Sequence, residues 1–428
     1  MTKYRTRLTV LTLLTGVAAS MALPLEAAEA SLAQSSVVSA NPANFTPNVE
    51  ADGAVSAPAV HALKQLGGTM YAGGEFRTVT DASGTTSYQR NNIMAFSATT
   101  GAMTSFAPVI NGTVWAIEAS GSSIYVGGDF TTVNGVARRG LVKLDAQTGQ
   151  IDKTFQPVIK WGNVTEIRLV NGRLIVGGSF QDRLAALDPV TGANTGYINL
   201  PITGRVADNS GPTKVYRFAV NPAGTRLMAI GNFTAVNGST RWQAFMLDLG
   251  TTQATLDPWY YQPLQNFCQA SSLPAYLRDV DFSPDGSYFV IVSTGYVPKS
   301  GGVGRDLCDA AARFETGIAS PTRPTWINYT GGDTLHSVAV TGAAVYVQGH
   351  QRWLDNPFGT DSAGPGAVSR QGIGAIDPVR GTALSWNPGK TRGVGGKDLL
   401  ATSSGLWVGS DGTRFAGEYR ARIAFCPL

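Results

Sequence analysis

Seven residues stand at one recurring offset in the chain yet differ in chemistry: His61, Trp115, Thr165, Tyr216, Arg278, His336 and Lys397. Each is the second residue of a short apolar run. Its flanks stay mostly apolar, as in Val60 and Leu63 or Leu335 and Val338. A core position would repeat one residue type, whereas side chains around a channel mouth are free to vary. Four of the seven carry or share positive charge, and two are aromatic. Such a set suits an anionic or sugar-like ligand, held by charge-assisted hydrogen bonds and by stacking. The competing reading is packing between neighbouring repeats.

Other chemistry is thin. His350 follows Gly349 and would share a face with His336, with Asp411 in the next repeat as a third candidate metal ligand. The set spacing of a three- or four-ligand site is missing, so neither a metal nor a cofactor is expected. Glu166, Asp279 and Asp398 are carboxylates available for acid–base work, but the chain has only 3 His. No Gly-x-Ser-x-Gly elbow occurs. Gly389-Lys390-Thr391 resembles the end of a phosphate loop, but Leu384 occupies the place of the first glycine. Trp161 and Trp353 lie in long connections on the same expected face. An indole there either stacks on a ligand or covers its own core.

The elements that position these residues form a repeat. Tyr-Ala-Gly-Gly-Glu-Phe ends at Phe76, Tyr-Val-Gly-Gly-Asp-Phe at Phe130, Ile-Val-Gly-Gly-Ser-Phe at Phe180 and Ala-Ile-Gly-Asn-Phe at Phe233. Degenerate copies surround Val292, Val347 and Val408. The period is about 56 residues, which makes seven copies. Each copy reads as an apolar strand, a turn, a second strand into the glycine pair, a polar loop, a third strand and an aromatic-x-Pro segment. The last segment is Phe106-Ala107-Pro108, Phe155-Gln156-Pro157, Tyr261-Gln262-Pro263 or Trp386-Asn387-Pro388. Short strands at this spacing make antiparallel sheet, and four strands repeated seven times make a β-propeller. The last copy stops after its third strand, near Cys426, and the missing segment appears at the front as Phe45-Thr46-Pro47. The expected fold is therefore all-β: a seven-bladed β-propeller of four-stranded antiparallel blades, its ring closed by an N-terminal strand. Arginines open the third strand at Arg90, Arg138, Arg241, Arg370 and Arg420, and acids follow the glycines at Glu75, Asp129 and Asp411. This pattern predicts an ion-pair tie within the blade.

Residues 127–135 (Gly-Gly-Asp-Phe-Thr-Thr-Val-Asn-Gly), then 138–145 and 152–155, resemble the delta-sixty repeat of secreted bacterial β-propellers, and residues 233–238 repeat the pattern. The resemblance covers about residues 40–428. It implies an extracellular or cell-envelope propeller and carries over no catalytic residue.

Composition and ends set the compartment. Lys3, Arg5 and Arg7 precede an apolar stretch from Leu8 to Leu25, and Ala28-Glu29-Ala30 offers a cleavage site. Residues 1–30 are thus read as a signal peptide, 31–43 as a lead-in and 44–428 as the propeller. No later stretch is apolar enough to span a bilayer. A net charge of +4 without a dense basic patch argues against nucleic acid. Of the three cysteines, Cys268 and Cys308 enter one blade from the same face and are expected to form a disulfide, leaving Cys426 as a buried thiol. The resulting expectation is a secreted monomer that binds an extracellular glycan or protein at the channel mouth and is not an enzyme. A propeller hydrolase or lyase acting on polysaccharide, using His61 or His336, and a structural envelope protein are the alternatives.

Overall fold

The computed structural model describes Met1 and residues 32–207, 210–269 and 275–428; the leader read over residues 1–30 lies almost wholly outside them. Nearly all regular structure is β, apart from one short 3-10 turn at Gln262–Gln265. The first main sheet consists of Ala59–Leu66, Thr69–Glu75 and Ile93–Ser97. Its antiparallel pattern recurs in six further sheets among the described residues, whose first strands are Thr113–Ser120, Val164–Val170, Lys214–Val220, Leu277–Phe282, Leu335–Val340 and Gly396–Thr402. These first strands pack in cyclic order, each against the next, and Gly396–Thr402 returns to Ala59–Leu66. The result is β-propeller architecture with the first strands lining the axis.

The core lies between sheets, because one sheet cannot bury both faces alone. One apolar cluster joins Tyr71, Ile93 and Ala95 of the first sheet to Val114, Ile117 and Val126 of the second. The phenylalanines that end the repeated phrase, Phe76, Phe130, Phe180 and Phe233, are all fully buried.

The expected fourth strand is a general feature only in part. The fourth and fifth sheets have it, as Ala254–Leu256 and Trp326–Tyr329. Elsewhere the outer segment makes a single bridge, such as Phe96 to Met103, Leu144 to Ile151 or Ile376 to Ala383. Proline two residues beyond the aromatic has no N–H to extend the ladder. What holds the outer segment instead is the arginine at the start of the third strand. Arg90 Nη2 donates to Thr104 O at 2.9 Å, Arg241 Nη2 to Asp257 O at 3.3 Å, and Arg370 to Leu384 O. The predicted tie to the carboxylate after the glycine pair is therefore wrong: in these three sheets the guanidinium takes a backbone carbonyl two residues before an aromatic, whereas among the described residues the Arg138 guanidinium bonds only the neighbouring Ala137 O. By this marker Trp259, not Tyr261, is the counterpart of Phe106 in the fourth copy.

The N-terminal segment follows the same rule. Arg420 Nε donates to Ala43 O at 3.2 Å, two residues before Phe45. Ser39 N and Ala43 N donate to Pro427 O and Phe425 O, and Phe45 packs on Trp407 and Phe425. Beyond that stretch Asn48–Glu50 pairs with Thr78–Thr80, beside the first sheet. Residues 39–49 thus bridge the last sheet and the first without forming a long regular strand.

Cys268 and Cys308 are disulfide-bonded with a Cα separation of 5.8 Å, and Cys426 is a buried free thiol whose pKa burial pushes up to about 12.

Candidate functional site

The glycine pair and the variable polar residue are two halves of one backbone device. In each first strand the register against the second strand slips by one residue. In the first sheet Val60 faces Gly74 and Ala62 faces Gly73, so His61 is left over as a bulge. The same slip leaves out Trp115, Thr165, Tyr216, Arg278, His336 and Lys397. A bulge bends its strand and re-aims a side chain. In five sheets a glycine faces the residue before the bulge and makes room for it: a Cβ at Gly74 would lie 1.9 Å from Ala59 O, and one at Gly349 2.0 Å from Thr334 O. The fifth and seventh sheets have Ser293 and Ser410 there. The seven residues picked out by offset are therefore the seven bulge residues.

They gather at one end of the axis. The His61 and Trp115 rings are 4.3 Å apart. His61 feels the charge of Lys397; His336 feels Arg278 and Lys397; Tyr216 feels Arg278. Thr165 departs from the expected role, since its Oγ1 donates to Val215 O and Tyr216 O at 3.0 Å and ties two sheets together. His61 is buried to 7 % exposure and the other six are half-buried. Trp161 is 45 % exposed with Arg183 over its ring, and Arg352 stands over Trp353 at 4.4 Å.

The electrostatics of this mouth are one-sided. Lys214, two residues before Tyr216 and 4.2 Å from its ring centre, joins Arg278 and Lys397 there. Burial and then Arg278 pull the Lys214 ammonium below its usual pKa; burial also lowers Lys397, with Asp411 opposing and Arg278 adding to the drop. Burial outweighs the nearby tyrosines and Asp309 and lowers Arg278 as well. Burial, then neighbouring cations, brings both His61 and His336 to about 3, so both are neutral at pH 7. Lys214, Arg278 and Lys397 have no hydrogen bond or ion pair among the described residues, and Arg278 Nε and Trp115 Nε1 are buried without a partner. Sequence reasoning missed Lys214 because it precedes the recurring offset.

His336 and His350 lie 6.3 Å apart between ring centres, and Asp411 instead accepts the amides of Val394 and Gly395. Among the described residues no three metal-ligating side chains converge.

One residue deeper, the axis carries an ion-pair cluster. Arg217 Nη1 bonds Glu166 at 2.7 Å, its Nη2 reaches His61 O at 3.4 Å, and Arg168 takes the other Glu166 oxygen. Asp279 and Asp398 flank this cluster, and burial raises both, Asp279 to about 7. Their carboxylates accept the amides of Val338 at 3.0 Å and Leu63 at 2.6 Å, each on the first strand of another sheet. The three carboxylates singled out as acid–base candidates are thus occupied in holding the inner strands together. Beyond them a cavity of about 480 Å³ opens on the far face, walled by Lys64, Glu166, Arg168, Arg217, Asp279 and Asp398 among other polar and apolar residues. Its cations are paired to Glu166 and Glu118. The unpaired charge is at the mouth.

A family model described as a domain of unknown function (DUF5122) beta-propeller matches residues 123–155. No curated protein sequence matches the chain. Among solved structures, the computationally designed Ika8 protein is similar at 11% identity and a TM-score of 0.46, over 89% of this chain and 98% of that one. The beta-propeller domain of Cps50 (Swd1) from Myceliophteria thermophila is similar at 11% identity and a TM-score of 0.42, over 68% of this chain and 79% of that one.

Proposed function

We propose that this chain is a secreted, seven-bladed propeller of the delta-sixty type that binds an anionic extracellular ligand at the mouth formed by its bulge residues, without catalysis. One observation carries the reading: Lys214, Arg278 and Lys397 converge there with no side-chain hydrogen bond or ion pair among the described residues, Lys214 and Arg278 touching only tyrosine rings. Three half-buried cations repel one another and lose hydration, a cost that folding alone gives no reason to keep. An anion offsets both. Trp115 and Tyr216 supply faces for a sugar ring. The fourth strand that most sheets lack is, on this reading, an outer segment held by the arginine hook. Leader cleavage near residue 30 and bacterial export remain part of the same proposal, supported by the sequence layout and the repeat.

A glycan array of acidic and neutral sugars tests it, with the wild type beside an Arg278→Ala/Lys397→Ala double variant. The expected result is binding to acidic glycans that weakens at least tenfold in the variant, while Tm does not fall. Binding confined to neutral glycans, or unchanged in the variant, refutes it.

A further inference from the structure

On the anion-binding reading above, we infer that the mouth is a blind socket that takes the acidic end of a glycan chain, a carboxylated pyranose, and not an internal stretch of the chain. The floor is built. Arg217 belongs to the fourth sheet and reaches the His61 carbonyl of the first, across the ring, while gripping Glu166 of the third. Arg168 completes the pair from the same strand as Glu166. Neither Trp115 nor any other bulge residue lines the cavity on the far face, whereas Arg217 and Glu166 do. The cluster stands between the mouth and that cavity, and on this inference whatever enters the mouth leaves by it.

The walls differ in character. Lys214, Arg278 and Lys397 come from the fourth, fifth and seventh sheets, and the adjoining, mutually tilted Trp115 and His61 rings from the second and first. A terminal acidic pyranose presents a carboxylate on one edge and an apolar ring face beside it. It matches a cationic sector next to an aromatic one. It also has a single glycosidic bond to lead out of a one-ended socket. An internal residue has two, and both would have to turn back through the same opening past the half-buried bulge side chains.

The test is isothermal titration calorimetry on the full chain with oligogalacturonates of two, six and about fifty residues at matched concentrations of chain ends. One protein per chain at every length, with Kd per chain varying less than about threefold, is expected. The Trp115→Ala variant should lose oligogalacturonate affinity tenfold or more while keeping its affinity for inorganic sulfate. A number of proteins per chain that grows with length means side-on binding and overturns the inference. Affinity for sulfated chains or for a peptide C-terminal carboxylate, with none for any oligogalacturonate, overturns it too but leaves the anion-binding reading standing. Binding of none of these probes overturns that reading itself.

Discussion

Replacing Arg278 and Lys397 together by Met should stabilise the fold while abolishing its affinity for anions. Arg278 Nε is buried with no partner. Leaving such a group unmatched costs about 1–3 kcal/mol. Its guanidinium stands 5.7 Å from the Tyr276 ring centre, which returns about 0.5–1 kcal/mol. Removing it should gain on the order of 1 kcal/mol, and removing Lys397 relieves its repulsion as well. At about 2.1 cal/mol/K of unfolding entropy per residue, a chain of this size has roughly 0.8 kcal/mol/K, so Tm should rise by about 1–3 °C. Scanning calorimetry in low salt without ligand measures this. Sulfate supplies the second half of the assay. With a Kd on the order of 1 mM, 100 mM sulfate stabilises by about 2.7 kcal/mol, or about 3 °C in the wild type, and by less than about 1 °C in the variant. A Tm that falls by more than about 2 °C would show that the two cations hold the fold, and a sulfate response equal in both proteins would show that they hold no anion.

Three further outcomes follow from the same contacts. Arg420→Ala removes a guanidinium that holds Ala43 O and Asn44; at roughly 1.5–3 kcal/mol per charged hydrogen bond, less for its exposed part, it should cost about 2 kcal/mol in a denaturant titration. Cys268→Ser opens a loop of sequence separation 40, for which the chain-entropy relation gives about 4 kcal/mol, so a Tm change under about 1 °C would contradict it. Asp279 is raised to about 7, so between about pH 4 and 7 its folded form binds a proton that the unfolded chain has lost. Its contribution therefore declines as pH rises through that window. The stability of Asp279→Asn relative to the wild type should accordingly climb from pH 4 to 7, as read from paired melting curves, and a flat difference would sink the assignment.

The mouth was legible because seven copies hold unlike polar or aromatic residues at one offset, which no packed core would tolerate. The bulge beneath it was not, since a backbone slip has no residue type of its own. Its trace was the glycine opposite, visible as a repeat marker but not as a partner of the ring. Arg217 and Glu166 went unread as a floor because a reach across the axis has no spacing in sequence. The arginine hook was assigned to the wrong acceptor for a related reason: carbonyls are present at every residue, so a backbone partner leaves no pattern to find, whereas Glu75 and Asp129 offered a false one. Proline follows the aromatic in most of the short outer segments and withholds the N–H that pairing requires, but the third sheet, with Tyr197-Ile198-Asn199, lacks the fourth strand without one. The disulfide was read correctly, because both cysteines enter one sheet from the same side.

The junction between the chain's two ends has a kinetic consequence. Thr46 Oγ1 donates to Ile423 O across a sequence separation of 377, whereas each sheet is assembled from neighbours within about one repeat. Closing the longer loop costs about 2 kcal/mol more than closing one of about 50 residues. Each sheet can form from strands close in sequence, but the ring closes only when residues 39–49 meet residues 423–427. Until then the first and last sheets each present a bare apolar flank. The clasp is thus the slowest step to complete and the interval of greatest exposure to misassembly, and slowing it at Arg420 should lower the yield of refolded protein more than its stability.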